Sequence, residues 1–175
     1  MTESSLSTRL LTEEALLAQC RWDVFRGSGP GGQKRNKTAN AVRLAHLPTG
    51  IAVTAGESRS LAENKMRALR RLRLKLASDL RERVDLSHFE PPEWFLSIRR
   101  QNRIEASHRH SLHAAAAGLV LDLLDALVAN PAAVAINLGV STTAVIKLLE
   151  DEPVLWTAAN QIRARHGQPA LSHRR

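Results

Sequence analysis

A glycine-dense segment at residues 26–38, RGSGPGGQKRNKT, constrains this chain more than any other part of it. Its four glycines place little steric demand on the backbone and its proline fixes the direction, so a loop of this kind can enter a narrow space. One side-chain amide, Gln33, stands near the centre, and Lys34, Arg35 and Lys37 follow it without a compensating acid. The segment, called the Gln33 loop below, therefore predicts close approach to a polyanionic partner.

The composition agrees with such a partner. The 175 residues are 43% apolar, which allows one domain or two small ones with a buried core. A formal net charge of +8, without a long uncharged apolar run, favours nucleic acid over a membrane. The single Cys20 excludes an intramolecular disulfide and a cysteine-based zinc cluster, and the amino terminus lacks a signal-peptide pattern. We expect a cytoplasmic protein that does not bind a membrane.

Hydrophobic periodicity predicts an α+β fold class, with a small sheet and a packed helix that carry the Gln33 loop. Thr12 caps a short helix, and Ser60-Leu61-Ala62-Glu63 is a capping box that starts a long helix with a leucine stripe and a basic remainder. The predicted strands cover residues 21–26, 40–47 and 51–55. These elements make up a predicted domain 1–88.

Pro91-Pro92 separates this domain from a second one, residues 89–175, in which we expect an all-α helical unit. One helix should run from residue 93 to about 129, and the last from 152 to about 166. Between them, Asn130 is the predicted cap of a shorter helix, and Gly139 and Ser141 mark a break after which a second helix starts. Three histidines, His108, His110 and His113, lack an accompanying acid or cysteine, so we expect a solvated helix surface and no metal site.

Two nucleotide-binding motifs are excluded for the Gln33 loop. The glycines at positions 27, 29 and 32 fit the dinucleotide pattern, yet cations follow and Ala52 stands where an acid should contact the ribose. A P-loop needs a lysine where Gln33 stands. A glutamine amide is not a strong base, but it can orient water while its backbone N–H donates to an oxyanion. From the residues alone, a basic loop without chemistry remains an alternative.

The segment resembles the catalytic domain of class I peptide chain release factors and their stand-alone ribosome-rescue relatives. The resemblance covers about a third of the chain, with its motifs in the same order and spacing. It rests on RGSGPGGQ (26–33), NKT (36–38), AVR (41–43), HLPTGI (46–51), Glu57, Arg59-Ser60 and Asn64-Lys65.

This resemblance implies an enzyme, a ribosome-dependent peptidyl-tRNA hydrolase of the release-factor type. It implies that Gly31 and Gly32 allow close approach to the terminal adenosine and that Gln33 places the attacking water. The implied partners are large-subunit ribosomal RNA, peptidyl-tRNA and a glutamine methyltransferase that modifies Gln33, with no cofactor and no metal. The implied RNA-binding residues are Ser28, Lys34, Arg35, Asn36, Lys37, Arg43, Arg59 and Lys65.

About two dozen residues precede the loop, which leaves no room for codon-reading domains. We therefore expect codon-independent release of peptide on stalled ribosomes. The alternative is a non-catalytic RNA- or DNA-binding protein, because Ala135, Gly139 and Val145 have the spacing of a helix-turn-helix. Acids at positions 150–152 would repel a phosphate backbone, which favours a packing unit or a ribosome-docking element over DNA readout.

Overall fold

A computed structural model describes residues 5–26 and 39–172 of the chain, with side chains from residue 8 onward. The chain divides into two compact units. The sheet unit is Leu11–Leu76, and the helical unit comprises Met1–Leu10 together with Ala77–Arg175. The predicted α+β class is confirmed. The compact units do not follow the predicted boundary at residue 88, since their boundary falls within the long helix, and the division into domains 1–88 and 89–175 stays a prediction.

Among the described residues, the first part of the chain contains both helices and strands, and every element after Ile104 is a helix. In chain order they are α1 (Ser5–Leu10), α2 (Glu13–Ala18), β1 (Cys20–Phe25), β2 (Ala41–His46), β3 (Ala52–Ala55), α3 (Leu61–Asp79), α4 (Glu93–Ile98), β4 (Arg99–Arg100), β5 (Arg103–Ile104), α5 (His113–Ala126), α6 (Pro131–Leu138), α7 (Thr142–Glu150) and α8 (Pro153–Arg165).

The sheet unit contains a three-stranded antiparallel sheet in the order β1-β2-β3. Cys20 pairs with His46 at one end of β1 and Phe25 pairs with Ala41 at the other. In β2, Val42, Leu44 and His46 are buried and Arg43 between them is exposed, as period-two hydrophobicity predicts. The three predicted strands are therefore confirmed.

Side-chain caps start two helices of this unit. The Oγ1 of Thr12 accepts a hydrogen bond from the backbone N–H of Ala15 at 3.2 Å. At α3 the Oγ of Ser60 accepts from the N–H of Glu63 at 3.3 Å, which is one half of the predicted capping box. The other half is relayed, because the N–H of Ser60 donates to the Oγ of Ser58, which in turn donates to the Glu63 carboxylate.

The helical unit is built around α5. Its residues from His113 to Leu124 are all buried, and the helix contacts α1, α6, α7 and α8. A helix that is apolar on all sides needs such a shell of neighbours. Within the described ranges, no single helix has both the length and the apolar character needed to cross a membrane, and only the bent pair α6 and α7 meets those criteria together.

The prediction of one helix from residue 93 to about 129 was wrong. Helix α4 ends at Ile98 and is followed by the two-stranded hairpin β4–β5, in which Gln101 has a φ of 52°. The carbonyl of Asn102 at the hairpin turn accepts a hydrogen bond from the N–H of Ser141 at 2.8 Å. Residues 99–111 carry too few apolar side chains to form a stripe that a helix could bury.

Candidate functional site

The Gln33 loop connects two paired strands. Phe25 and Ala41 are cross-strand partners, so the chain leaves β1 and enters β2 at adjacent positions of the sheet. The sheet therefore fixes both ends of the connection. The catalytic candidates Gly31, Gly32 and Gln33, and the RNA-binding candidates Ser28, Lys34, Arg35, Asn36 and Lys37, lie outside the described residues.

A buried amide holds the point at which the loop rejoins the sheet. Asn64 on α3 is 0% exposed, and its Nδ2 donates to the carbonyls of Asn40 at 2.7 Å and Ser58 at 2.8 Å. Its Oδ1 accepts from the N–H of Ser58 at 3.0 Å, and the Nδ2 of Asn40 donates to the Ser58 carbonyl at 3.2 Å. Satisfied buried networks of this kind fix one local geometry. Asn64 thus ties the start of β2 to the segment that precedes α3.

This positioning role of Asn64 was missed in the sequence, where the residue enters only through the family resemblance. The spacing of residues on α3 did contain a signal for this role. Asn64, Ala68 and Leu72 stand four residues apart on α3, and all three are buried. A polar residue in line with a buried apolar stripe needs hydrogen-bond partners.

Three RNA-binding candidates, Arg43, Arg59 and Lys65, lie among the described residues, and all are exposed. The Nζ of Lys65 is 5.6 Å from the ring centroid of Trp22, a cation–π distance. Trp22 is the cross-strand partner of Leu44, so it shares the buried face of the sheet, whereas Arg43 lies on the exposed face. The structure therefore places Arg43 and Lys65 on opposite faces and does not bring them together.

Carboxylates neutralise part of the basic face predicted for α3. Glu57 lies 2.8 Å from Arg71 and 3.9 Å from Arg67, and Glu63 also pairs with Arg67. Partial burial acts to raise the pKa of Glu57, but hydrogen bonds from Arg71 and from backbone amides, with the positive charge of Arg71, outweigh it. The pKa of Glu57 consequently lies below its ordinary value, and this part of the helix carries paired rather than free charge.

In the helical unit, α6 and α7 meet at 110°, within the range of about 90–120° typical of a helix-turn-helix. Ala135 and Val145 are buried between neighbouring helices, and Gly139 has a φ of 65° at the turn. The Oγ of Ser141 caps α7 by accepting from the N–H of Ala144 at 3.1 Å. Lys147 is exposed on the second helix.

The histidines do not share one environment. His108 and His110 are exposed, whereas His113 is buried at the start of α5 with its Nδ1 2.8 Å from the Ala106 carbonyl. The expectation of a solvated surface was therefore wrong for His113, because the residue begins the central helix. Among residues 5–26 and 39–172, no group of three His, Cys, Asp or Glu residues could hold a metal ion.

Residues 14–111 match the RF-1 domain family. Peptide chain release factor 1 of Parafrankia sp. (strain EAN1pec) is 49% identical to this chain over 65 residues, which are 37% of this chain and 18% of the relative. Peptide chain release factor 2 of Kineococcus radiotolerans is 52% identical over 64 residues, 37% of this chain and 17% of the relative. Peptide chain release factor 2 of Mycolicibacterium smegmatis is 52% identical over 68 residues, which are 38% of this chain and 18% of the relative.

The chain thus spans less than a fifth of the length of these relatives. The aligned stretch of about 65 residues is comparable in length to the sheet unit alone. The family match is wider, since it takes in more than half of the chain and reaches past the hairpin β4–β5. The chain therefore belongs to the RF-1 domain family.

Proposed function

We propose that this chain hydrolyses the ester bond of peptidyl-tRNA on the ribosome, with Gln33 at the reaction centre. The observation that carries the proposal is the family match over residues 14–111, which includes Gly31-Gly32-Gln33. The paired positions Phe25 and Ala41 support it, because they hold both ends of the loop on a rigid sheet. A loop that must reach into a confined RNA site benefits from such a base.

The proposed reaction requires few chemical groups from the protein. A water molecule attacks the carbonyl carbon of the ester, the bond to the ribose oxygen breaks, and the terminal adenosine recovers its hydroxyl while the peptide leaves as a carboxylic acid. Gln33 orients the water, and its backbone N–H donates to the developing oxyanion. Gly31 and Gly32 admit the adenosine, and Lys34, Arg35 and Lys37 contact the RNA phosphates.

The finer part of the proposal is that release takes place without a stop codon, on stalled cytoplasmic ribosomes. Its support is that the chain continues beyond the family match, which ends at residue 111, into helices α5–α8. Methylation of the Gln33 side chain by a glutamine methyltransferase belongs to the same proposal. Mass spectrometry of protein purified from its native cells would detect the added methyl group.

A release assay tests the hydrolysis. Ribosomes that carry labelled peptidyl-tRNA are programmed with truncated, intact or stop-codon mRNA, and peptide release is followed over time. Wild-type protein should release peptide from the truncated complex without a stop codon. Gln33→Ala should abolish release while co-sedimentation with ribosomes persists, and Gln161→Ala, at an exposed glutamine of α8, should be as active as wild type. Full activity of Gln33→Ala would overturn the assignment.

A second function, DNA binding without catalysis, is favoured by one observation, the 110° angle between α6 and α7. Both functions predict binding that weakens steeply with salt, so salt dependence does not separate them. Co-sedimentation with ribosomes separates the two functions. A protein that stays off ribosomes and selects one DNA sequence from a random duplex pool would support the second function.

A further inference from the structure

Phe25 is an exposed aromatic residue at the foot of the Gln33 loop. The chain has three phenylalanines, three tryptophans and no tyrosine, and all of these rings lie within the described residues. Phe25 is the only exposed one among them, with 41% of its surface accessible, whereas Phe95 is 0% exposed. A single exposed apolar side chain does not require a partner. Its position and the charge around it therefore decide which partner it suits.

The strand register places Phe25 where the chain enters the loop. It is the last residue of β1, and its cross-strand partner Ala41 is the first residue of β2. Cross-strand partners have their Cβ atoms about 4.5–5.5 Å apart. Because Ala41 is 3% exposed, the sheet backs the Phe25 side chain on that side. The ring is therefore carried by a paired strand end, which fixes its position better than a loop would.

The segment around Phe25 is strongly basic. Residues 21–43 contain six Lys or Arg residues and one acid, which gives the segment a net charge of +5. The acid, Asp23, lies 3.4 Å from Arg21 and is thus paired. The remaining cations have no acid within the segment. A surface with this excess of positive charge attracts a polyanion.

Two of these cations are neighbours of Phe25. Arg26 follows it in the chain and is exposed, and Arg43, the cross-strand partner of Asp23, shares the exposed face of the sheet with it. Within the described residues, neither arginine forms an ion pair or a hydrogen bond through its side chain. An apolar protein surface that covered the ring would remove water from both guanidinium groups without pairing them, which is unfavourable. RNA offers a flat base to the ring and phosphates to the arginines.

We propose that Phe25 stacks on an unpaired base of large-subunit ribosomal RNA when the Gln33 loop enters its site. The inference rests on the proposed function, because that function puts the foot of the loop against the RNA that surrounds the reaction centre. Aromatic rings beside cations are a common means of holding unpaired bases, with the ring on the base and the cations on the flanking phosphates. The terminal adenosine of the tRNA is held at Gln33, so the base that meets Phe25 belongs to the surrounding RNA.

The first test measures how tightly the full chain binds ribosomes that carry peptidyl-tRNA and truncated mRNA, by fluorescence anisotropy of an amino-terminal label. Every chain in the series also carries Gln33→Ala, so that hydrolysis does not alter the complex during the measurement. Phe25→Leu keeps an apolar side chain but removes the ring, and it should weaken binding about fivefold or more. Phe25→Trp keeps a stacking face and should bind within about twofold of the parent chain.

Two further variants separate stacking from charge and from general loss of apolar surface. Leu47→Ala is the matched control, because Leu47 is 62% exposed and follows β2 at the end remote from the loop. It should bind as the parent chain does. Arg43→Ala should weaken binding and reduce the salt slope by about 1, whereas Phe25→Leu should leave the slope unchanged because no phosphate contact is lost.

A photo-cross-link identifies the molecule that covers the ring. The photoreactive amino acid p-benzoylphenylalanine replaces Phe25 in the full chain, and the complex with ribosomes is irradiated and digested. The cross-link should form with large-subunit ribosomal RNA, and primer extension should stop at the nucleotide beside position 25. A chain with p-benzoylphenylalanine in place of Leu47 should not cross-link to that nucleotide.

The proposal would be overturned if Phe25→Leu bound as tightly as Leu47→Ala, or if Phe25→Trp bound as weakly as Phe25→Leu. A cross-link from position 25 only to tRNA, to a ribosomal protein or to the Gln33 loop of the same chain would overturn it as well. Failure of the proposed hydrolysis is a separate result, the absence of peptide release by wild-type protein. Neither the binding series nor the cross-link depends on release, so the two failures are distinguishable.

Discussion

The two units of this protein place their charged side chains differently. In the sheet unit, ion pairs such as those of Glu57 with Arg67 and Arg71 stand at the surface, with each side chain at least 43% exposed. In the helical unit, the carboxylate of Asp122 and the guanidinium of Arg9 are almost completely buried beside the apolar helix α5. Surface pairs contribute little to stability, whereas a broken buried pair is costly. The helical unit should therefore be far more sensitive to the loss of one charge.

The buried cluster joins three segments of the helical unit. The guanidinium of Arg9, on α1, donates to both oxygens of the Asp122 carboxylate and to the carbonyl of Leu80. Arg81 lies 3.1 Å from the same carboxylate, and the N–H of Glu82 donates to it at 3.1 Å. Burial raises the pKa of Asp122, against the opposing effect of both arginines, and lowers the pKa of Arg81 to about 10.

Asp122→Ala should have the largest effect on stability. It leaves the guanidinium groups of Arg9 and Arg81 buried without their carboxylate, which costs about 3–5 kcal/mol of unfolding free energy. Urea denaturation followed by circular dichroism measures the loss. Asp125→Ala is the control, since Asp125 is only half-buried beside Arg165 and His166, and it should cost about 1 kcal/mol or less. Equal losses would show that burial of the ion pair does not set the cost of losing one charge in this protein.

Asn64→Ala should strongly destabilise the sheet unit. It removes three hydrogen bonds of a fully buried amide and leaves groups of Asn40 and Ser58 without that partner, at a cost of about 2–3 kcal/mol. Peptide release should fall as well, because the end of the Gln33 loop loses its anchor. Asn137→Ala, which removes one bond to the Ala133 carbonyl within α6, should cost less than about 1 kcal/mol. A smaller loss for Asn64→Ala than for this control would contradict the positioning role.

Gly139→Ala and Gly50→Ala compare one turn from each unit. Both glycines have positive φ, 65° and 71°, so alanine at either position costs about 1–2 kcal/mol in backbone strain. A Cβ at Gly139 would displace the Arg99 guanidinium from its hydrogen bond with the Leu138 carbonyl, whereas a Cβ at Gly50 would meet nothing within 4 Å. We expect Gly139→Ala to lower the melting temperature further than Gly50→Ala. The same shift for both would mean that the contact of Arg99 with the turn is dispensable.

Local sequence signals predicted most of the elements. Thr12, Ser60 and Asn130 each cap a helix as expected, because a cap needs only partners two or three residues away, and Ser141 caps the helix that restarts after Gly139. The contacts that the sequence did not predict join distant residues. Arg9 and Asp122 are 113 positions apart.

The errors have the same origin. The hairpin β4–β5 interrupts the predicted helix in a stretch with too few apolar side chains for a helical stripe, and its turn is held by the contact of Asn102 with Ser141, which no local pattern records. His113 was expected at a solvated surface because no acid or cysteine accompanies the three histidines, and only the packing of α5 shows that it is buried. For the candidate site, the glycine-dense loop and the family resemblance pointed to Gln33 and the loop cations, whereas the positioning role of Asn64 was recognised only from its buried hydrogen bonds.

The smallest expected effect is a change in the pKa of Glu57, and it tests whether the surface pairs act as described. The pKa of Glu57 in the folded protein lies below its ordinary value of 4.5, chiefly through Arg71 and backbone amides acting against burial. The unfolded chain therefore binds more protons as the pH falls below 4.5, so the stabilisation by this pair is complete above that pH and is lost as the pH falls through the folded-state pKa.

Arg71→Ala should raise the pKa of Glu57 towards 4.5, as measured from carboxyl carbon chemical shifts in an NMR titration. Arg67→Ala should raise it less, because Arg67 lies 3.9 Å from the carboxylate and Arg71 only 2.8 Å. At this exposed position the attraction falls with distance and is screened by salt, so the difference should shrink as the ionic strength rises. If Arg67→Ala raised the pKa of Glu57 more than Arg71→Ala, the pairing would be wrong. The ion pair of Glu57 with Arg71 would then not be the main interaction that neutralises charge on this part of α3.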